Sequence, residues 1–126
     1  MTEIKTHSGL VVARPGLVRD GLQAVLSAIP GMNALEPAND GTSALNELES
    51  HRPDLVILGS SLSADELHAT LRQIKERYSD VRCIIVAASP QQGRALKASS
   101  ADAVLVEGSP AVLFSTTIKD LLAKPS

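Results

Sequence analysis

Aromatic residues are nearly absent from this sequence of 126 residues, which has one tyrosine, one phenylalanine and no tryptophan. Any core must therefore be built from aliphatic side chains, and the hydrophobic content of 44% is sufficient for that. The scarcity of rings also removes the stacking platform on which proteins bind single-stranded nucleic acid. Because the formal net charge is −2, no basic surface replaces it. We expect no direct nucleic-acid partner.

Paired cysteines and long hydrophobic runs are absent as well. The single cysteine, Cys83, excludes an intramolecular disulfide and lies in an apolar run typical of a buried strand. No run approaches the roughly 18 apolar residues that cross a bilayer. The polar N-terminus also lacks the apolar segment of a signal peptide. We therefore predict a cytoplasmic protein without a membrane partner.

The combinations of residues that catalysis or cofactor binding would need do not occur. Ser60, Ser61 and Ser89 could be nucleophiles only with a histidine nearby, and none is placed there. The three histidines lack metal-ligand spacing, and no GxGxxG or Walker sequence is available to hold a nucleotide phosphate. We predict no enzyme activity, no metal and no cofactor.

What the sequence does contain is a central apolar run, residues 55–58, between a Pro-Asp pair and the loop Gly59-Ser60-Ser61. A short run with β-branched residues between turn formers indicates a strand buried on both faces, as in a parallel sheet. In open α/β sheets the loop after such a strand borders the ligand crevice. Here the loop has a glycine and two serines but no carboxylate.

Strand-like and helix-like segments alternate five times along the chain. The predicted strands are 10–13, 32–36, 55–58, 81–86 and 102–106, and Pro37 confines the second to an edge or a strand end. Apolar stripes of helical spacing lie between them, over 18–29, 44–48, 67–78, 95–98 and 114–122. Ser63 with Glu66 resembles a capping box, and Ser109-Pro110 is typical of a helix start.

This alternation predicts an α/β fold, a doubly wound (βα)5 flavodoxin-like domain with a parallel five-stranded sheet in the order 2-1-3-4-5. We expect one domain over 1–126, with 1–7 as a frayed N-terminus and 124–126 as the start of a linker. The ligand crevice should lie at the carboxyl ends of the first and third strands. It would be bordered by Ala13, Arg14, Pro15, Gly59, Ser60 and Ser61, with Ala87, Ala88 and Glu107 nearby.

Four segments, 16–22, 39–45, 52–58 and 74–82, carry a resemblance to a known family. Their order and spacing resemble the receiver domains of two-component response regulators, and the similarity covers about residues 9–122. The first segment, Gly-Leu-Val-Arg-Asp-Gly-Leu, is similar to the start of the first helix in receivers that precede helix-turn-helix output domains. The resemblance therefore implies a signalling domain, in the setting of a transcription regulator.

The side chains that phosphorylation requires in this family are missing at the matching positions of this sequence. The acidic pair that binds Mg²⁺ in the family falls on Ala13 and Arg14, and the phosphoacceptor aspartate falls on Gly59. The family's Ser/Thr hydroxyl falls on Ala87 and its lysine on Glu107. Mg²⁺ needs oxygen ligands, and an acyl phosphate needs a carboxylate nucleophile. The resemblance thus implies a degenerate receiver (a pseudo-receiver) without a phosphoacceptor.

Two hypotheses concern the residues that replace the site. Arg14 and Glu107 either pair across the vacated pocket or both point into solvent. The family's signalling face, made by its fourth helix, fifth strand and fifth helix, would be the place where partners dock. Its candidate residues here are Leu96, Lys97, Val106, Ile118, Lys119 and Leu122, each of which could equally be a core or ordinary surface residue.

These expectations converge on a phosphorylation-independent protein-interaction or dimerisation module, with a protein partner or a second copy of the chain bound to it. The alternative is a domain that senses a small molecule or anion in the vacated pocket. Ligand-dependent stabilisation would distinguish the sensor from the interaction module.

Overall fold

Five parallel strands form one sheet in the order β2-β1-β3-β4-β5, which confirms the predicted topology. The structure is a computed structural model and describes residues 7–97 and 99–123. The strands are β1 (His7–Val12), β2 (Met32–Ala34), β3 (Leu55–Leu58), β4 (Arg82–Ala87) and β5 (Ala103–Val106). The helices are α1 (Leu17–Ser27), α2 (Gly41–Ser50), α3 (Ala64–Arg77), α4 (Pro90–Leu96) and α5 (Ala111–Ala123).

The central strand β3 separates two aliphatic cores. All four of its residues are at most 1% exposed, as a strand covered by helices on both faces requires. Val56 and Leu58 belong to the core that α2, α3 and α4 cover, whereas Leu55 and Ile57 belong to the core that α1 and α5 cover. The five helices are therefore divided between the two faces of the sheet.

Side chains cap three of the helices. The hydroxyl of Ser63 accepts a hydrogen bond from the backbone N–H of Glu66 at 3.2 Å, which is half of the predicted capping box. Ser89 caps α4 in the same way through the N–H of Gln92. Asp40 caps α2, its carboxylate accepting from the N–H of Ser43 at 2.8 Å. These caps fix where the helices begin at the carboxyl edge of the sheet.

Several element boundaries differ from the sequence prediction. His7, assigned to a frayed N-terminus, is the first residue of β1, because the β2 edge pairs with it at Met32. Helix α5 begins at Ala111, one residue after the predicted Pro110. The rest of the predicted N-terminal segment, residues 1–6, and the predicted linker, 124–126, lie outside the described residues. Within the described ranges, every helix is too short or too polar to cross a bilayer.

Candidate functional site

The loops after β1 and β3 are packed directly against each other at the carboxyl edge of the sheet. Gly59 is buried, and its backbone N–H donates to the carbonyl oxygen of Val12 at 2.8 Å. Ala13 is fully buried beside it. A Cβ atom added at Gly59 would lie 2.9 Å from the Cβ of Ala13, closer than nonbonded carbon atoms approach. This point of the edge therefore has no room for a side chain at position 59.

Arg14 follows Ala13 and extends toward the N-terminal ends of α2 and α3. Its guanidinium donates to the carbonyl oxygen of Asn39 at 2.9 Å and to Oε1 of Glu66 at 2.8 Å. Its backbone N–H donates to the hydroxyl of Ser61. The predicted pairing of Arg14 with Glu107 is wrong, and so is the alternative that Arg14 points free into solvent. The physical reason is distance, because two strands lie between β1 and β5, which are about 14 Å apart at the usual strand spacing.

Glu107 lies after β5 and makes a different contact. Its Oε2 accepts a hydrogen bond from the hydroxyl of Ser60 at 2.5 Å, and its backbone N–H donates to the carbonyl oxygen of Ala87. Ala87 itself is fully buried at the end of β4. The loop after β3 is thus held on both sides, by Glu107 through Ser60 and by the Arg14 backbone through Ser61.

Glu66 connects several elements at this edge, and the sequence reasoning treated it only as part of a helix start. Its Oε1 accepts from Arg14, and its Oε2 accepts from the backbone N–H of Gly41 at 2.9 Å. Glu66 therefore joins the loop after β1, the first residue of α2 and the first turn of α3. Its position in a capping box was the only signal that could have singled it out.

The carboxylate of Asp40 is a further negative charge that interacts with Arg14. The pKa of Asp40 is lowered most by the backbone N–H of Ser43, less by the hydroxyl of Ser43 and least by the positive charge of Arg14. The ionised form is favoured because each of these groups donates to it or attracts it. Stabilisation from Asp40 is therefore present above the carboxyl's unfolded pKa and is lost as the pH falls through the lower, folded value.

Replacing Glu66 with glutamine should lower the free energy of unfolding by about 1–2 kcal/mol, because one of two charge-assisted hydrogen bonds loses its acceptor. Urea unfolding of the two proteins measures the difference. Asp65→Asn is the matched control, since Asp65 is exposed in the same helical turn and loses the same helix-dipole interaction. Equal losses in the two variants would show that the contacts of Glu66 to Arg14 and Gly41 contribute nothing.

Comparison with known proteins agrees with the fold. The family profile described as the response regulator receiver domain matches residues 10–106. The chain belongs to this family. No curated protein matches the chain. Helix α5, which lies beyond the matched residues, completes the fifth βα unit of the receiver fold.

Solved receiver structures superpose on nearly the whole chain. The receiver domain of the putative response regulator NarL from Mycobacterium tuberculosis is 18% identical, with a TM-score of 0.78 and coverage of 95% of this chain and 99% of that one. A LuxR-family response regulator from Aurantimonas is 22% identical, with a TM-score of 0.82 and coverage of 94% and 86%. RcsB from Salmonella typhimurium is 17% identical, with a TM-score of 0.79 and coverage of 96% and 63%. At these identities the likeness concerns the fold.

The six residues predicted for an interaction face of this receiver domain do not lie together on one surface. Leu96 is 4% exposed and Ile118 is fully buried, so the prediction is wrong for both. Each belongs to the apolar stripe with which its helix packs on the sheet, Leu96 in one core and Ile118 in the other. Lys97 and Val106 line a groove of about 280 Å³ between α4 and β5. Lys119 and Leu122 line a different groove, beside the end of α1.

The described parts of this receiver domain do not bring a metal site together. Across 7–97 and 99–123 there is no group of three or more His, Cys, Asp or Glu side chains that could hold a metal ion. The cation of Arg14, at the edge where a ligand crevice was predicted, is bound to Glu66 and the carbonyl of Asn39. The two charged candidate residues of this edge, Arg14 and Glu107, are thus each bound by contacts within the chain.

Proposed function

We propose that this receiver domain works without phosphorylation, as a protein-interaction or dimerisation module. The observation that carries the proposal is the contact between Gly59 and Ala13. Position 59 corresponds to the family's phosphoacceptor in the resemblance described above, and a Cβ there would overlap the Cβ of Ala13 at 2.9 Å. In this proposal the two loops pack together at the position where the family has its phosphoacceptor.

The electrostatics of the edge support the same proposal. Acyl phosphate formation uses a carboxylate nucleophile, with a metal ion and a cation to neutralise the developing charge. Here Ala13 and Gly59 supply no oxygen ligand from a side chain, and Arg14 would repel a divalent cation. Glu107, bound to Ser60, places a negative charge where the family's lysine would be. Both the metal and the phosphoryl group would meet a charge of their own sign.

The setting we propose is the regulatory part of a response regulator or transcription regulator. The segment 16–22, which forms the start of α1, is similar to receivers that precede helix-turn-helix domains. The structural neighbours include a LuxR-family response regulator, and RcsB, whose structure is described in terms of DNA interaction. In this proposal residues 1–126 are one receiver domain, and any contact with DNA is made by another part of the regulator.

The alternative, a sensor of anions in the vacated pocket, has less support. An anion at this edge would need the guanidinium of Arg14, which Glu66 and Asn39 already bind. The positive charge of Arg14 is also partly neutralised by the carboxylate of Glu66, at 2.8 Å, which weakens its attraction for an anion. We therefore favour the interaction module.

The proposal is tested by incubating the chain with Mg²⁺ and acetyl phosphate and measuring its intact mass, its melting temperature and its sedimentation. We expect no gain of a phosphoryl group and no change in the other two quantities. A receiver domain that has the family's aspartate serves as the positive control. A phosphorylated product together with a shifted melting temperature would overturn the proposal. Titration with inorganic phosphate, against chloride at equal ionic strength, tests the sensor, which requires stabilisation that grows with phosphate concentration.

A further inference from the structure

A recess opens between α1 and α5 at the carboxyl edge of the sheet, on the face opposite to α2 and α3. Its volume is about 230 Å³. Leu22, Val86 and Phe114 line its base, and each is at most 6% exposed because each belongs to the core under α1 and α5. Leu17, the first residue of α1, lies at its rim and is 89% exposed. The recess is therefore an apolar extension of this core that opens to the surface.

Gly21, in the second turn of α1, leaves the recess open. A Cβ atom added there would meet no atom within 4 Å, and the backbone of Gly21 is not in the positive-φ region that favours glycine. At Gly41, by contrast, an added Cβ would overlap the hydroxyl of Thr70, so close packing requires glycine there. Glycine within a helix is destabilising relative to alanine. Since neither packing nor backbone conformation requires Gly21, its effect is to keep space free beside α1.

The size and the lining of the recess suit a compact aromatic molecule. Phe114, at its base, is the only phenylalanine of the sequence. Aromatic rings favour edge-to-face or offset contacts with one another. An engineered protein cavity of about 150 Å³ holds benzene, so a recess of about 230 Å³ has room for two fused rings. A ligand there would also remove apolar surface of Leu17 from water, which is favourable.

The charges around the mouth of the recess favour a ligand without net charge. Glu107 is the one charged side chain among the described residues that line it, and its carboxylate repels an anion. The N-terminal ends of α1 and α5, at Leu17 and Ala111, also border the recess, and their positive dipole ends oppose a cation. Oε2 of Glu107 accepts a hydrogen bond from Ser60, whereas no described residue donates to Oε1. That oxygen can accept a hydrogen bond from a ligand N–H or O–H group.

We propose that this recess binds a small uncharged aromatic molecule of one or two fused rings, whose N–H or O–H group donates to Glu107. The rings would contact Leu22, Val86 and Phe114. The inference goes beyond the proposed function and does not rest on it, because neither phosphorylation nor a protein partner enters the argument. The site also differs from the vacated pocket at Arg14, since it lies over the other face of the sheet and takes an apolar ligand instead of an anion.

Indole is a suitable probe, because it has two fused rings, no charge and one N–H group. The test is titration of the whole chain with indole, followed through the backbone amide signals in 1H–15N NMR spectra. We expect saturable shifts near the recess, in residues 17–25 and 107–114, with a dissociation constant of about 0.1–1 mM, as suits so small a ligand. 1-Methylindole lacks the donor and should bind at least about threefold more weakly. Glu107→Ala should remove that difference.

Gly21→Leu tests the location of the site. The leucine side chain would fill the recess and should raise the dissociation constant for indole more than about tenfold. Folding should be retained, because the new Cβ meets no atom within 4 Å and leucine favours a helix more than glycine does. Ala24→Leu is the matched control, since it places the same side chain at an exposed position of α1 that does not line the recess. This control should bind indole as the unmodified chain does.

Several results would overturn the inference. They are the absence of saturable shifts up to the solubility limit of indole, and saturable shifts confined to residues away from the recess. Undiminished binding in Gly21→Leu, or an equal loss in Ala24→Leu, would overturn it as well. Equal affinities of the unmodified chain for indole and 1-methylindole would contradict the role of Glu107. The acetyl phosphate experiment decides the proposed function independently of all these results.

Discussion

Gly59→Ala should lower the free energy of unfolding by about 1–3 kcal/mol, the usual cost of overpacking a core. The new Cβ would lie 2.9 Å from the Cβ of Ala13 and 3.5 Å from the carbonyl oxygen of Val12. Backbone atoms of two adjacent strands hold this pair, because the N–H of Gly59 bonds to that carbonyl, so the overlap is not relieved by rotating a side chain. Equilibrium unfolding in urea measures the loss.

The double variant with Ala13→Gly isolates the overlap as the cause. Ala13→Gly alone removes a buried methyl group and should be destabilising, but it also makes room for a Cβ at position 59. The two substitutions should therefore cost clearly less together than the sum of their separate effects, with a coupling of about 1 kcal/mol or more. Additive costs would show that the overlap is absent in solution.

Gly59→Asp extends the experiment to function. It supplies the carboxylate that the family uses, but on a Cβ that overlaps Ala13 and in a buried position, so the cost should be about 3 kcal/mol or more. This variant should still gain no phosphoryl group from acetyl phosphate with Mg²⁺, because the metal ligands and the lysine are not restored with it. Phosphorylation of Gly59→Asp would mean that the missing nucleophile is the only obstacle.

Ile118→Ala should cost about 2–5 kcal/mol of stability, whereas Lys119→Ala should change it by no more than about 0.5 kcal/mol. Ile118 is fully buried among the α1, α5 and sheet residues, and truncation would leave a cavity there. Lys119, its neighbour on α5, is exposed. Urea unfolding measures both changes in stability. The protein concentration should be low enough to keep the chain monomeric, so that self-association does not contribute to the measured stability.

The pair matters because both residues were candidates for the same interaction face. A large loss of unfolding free energy in Ile118→Ala would agree with a buried structural role for Ile118. Unchanged sedimentation of Lys119→Ala would agree with a surface position for Lys119. Similar small losses in both variants would contradict the burial of Ile118.

The sequence by itself determined the architecture, because the architecture depends on local patterns. Apolar runs of strand length alternate with stripes of helical spacing, and strands joined through helices must run parallel in a right-handed sense. The burial of Leu55–Leu58 follows from these patterns, and the order β2-β1-β3-β4-β5 is the simplest doubly wound arrangement of five such units. The cap on α3 at Ser63 follows from the local capping-box sequence. Even the absence of a carboxylate after β3 is visible in the loop 59–61.

Only the tertiary structure decided which of these residues meet. One hypothesis paired Arg14 with Glu107, but strand order separates β1 from β5, and the near ends of α2 and α3 supply Asn39 and Glu66 instead. Periodicity places Ile118 on the apolar stripe of its helix but does not say which surface that stripe covers, and it does not explain why Leu17 and Val112 remain exposed. The reason is physical. Periodicity is a property of neighbours along the chain, whereas contacts between side chains depend on how helices are placed over the sheet, and residues distant in sequence fix that placement.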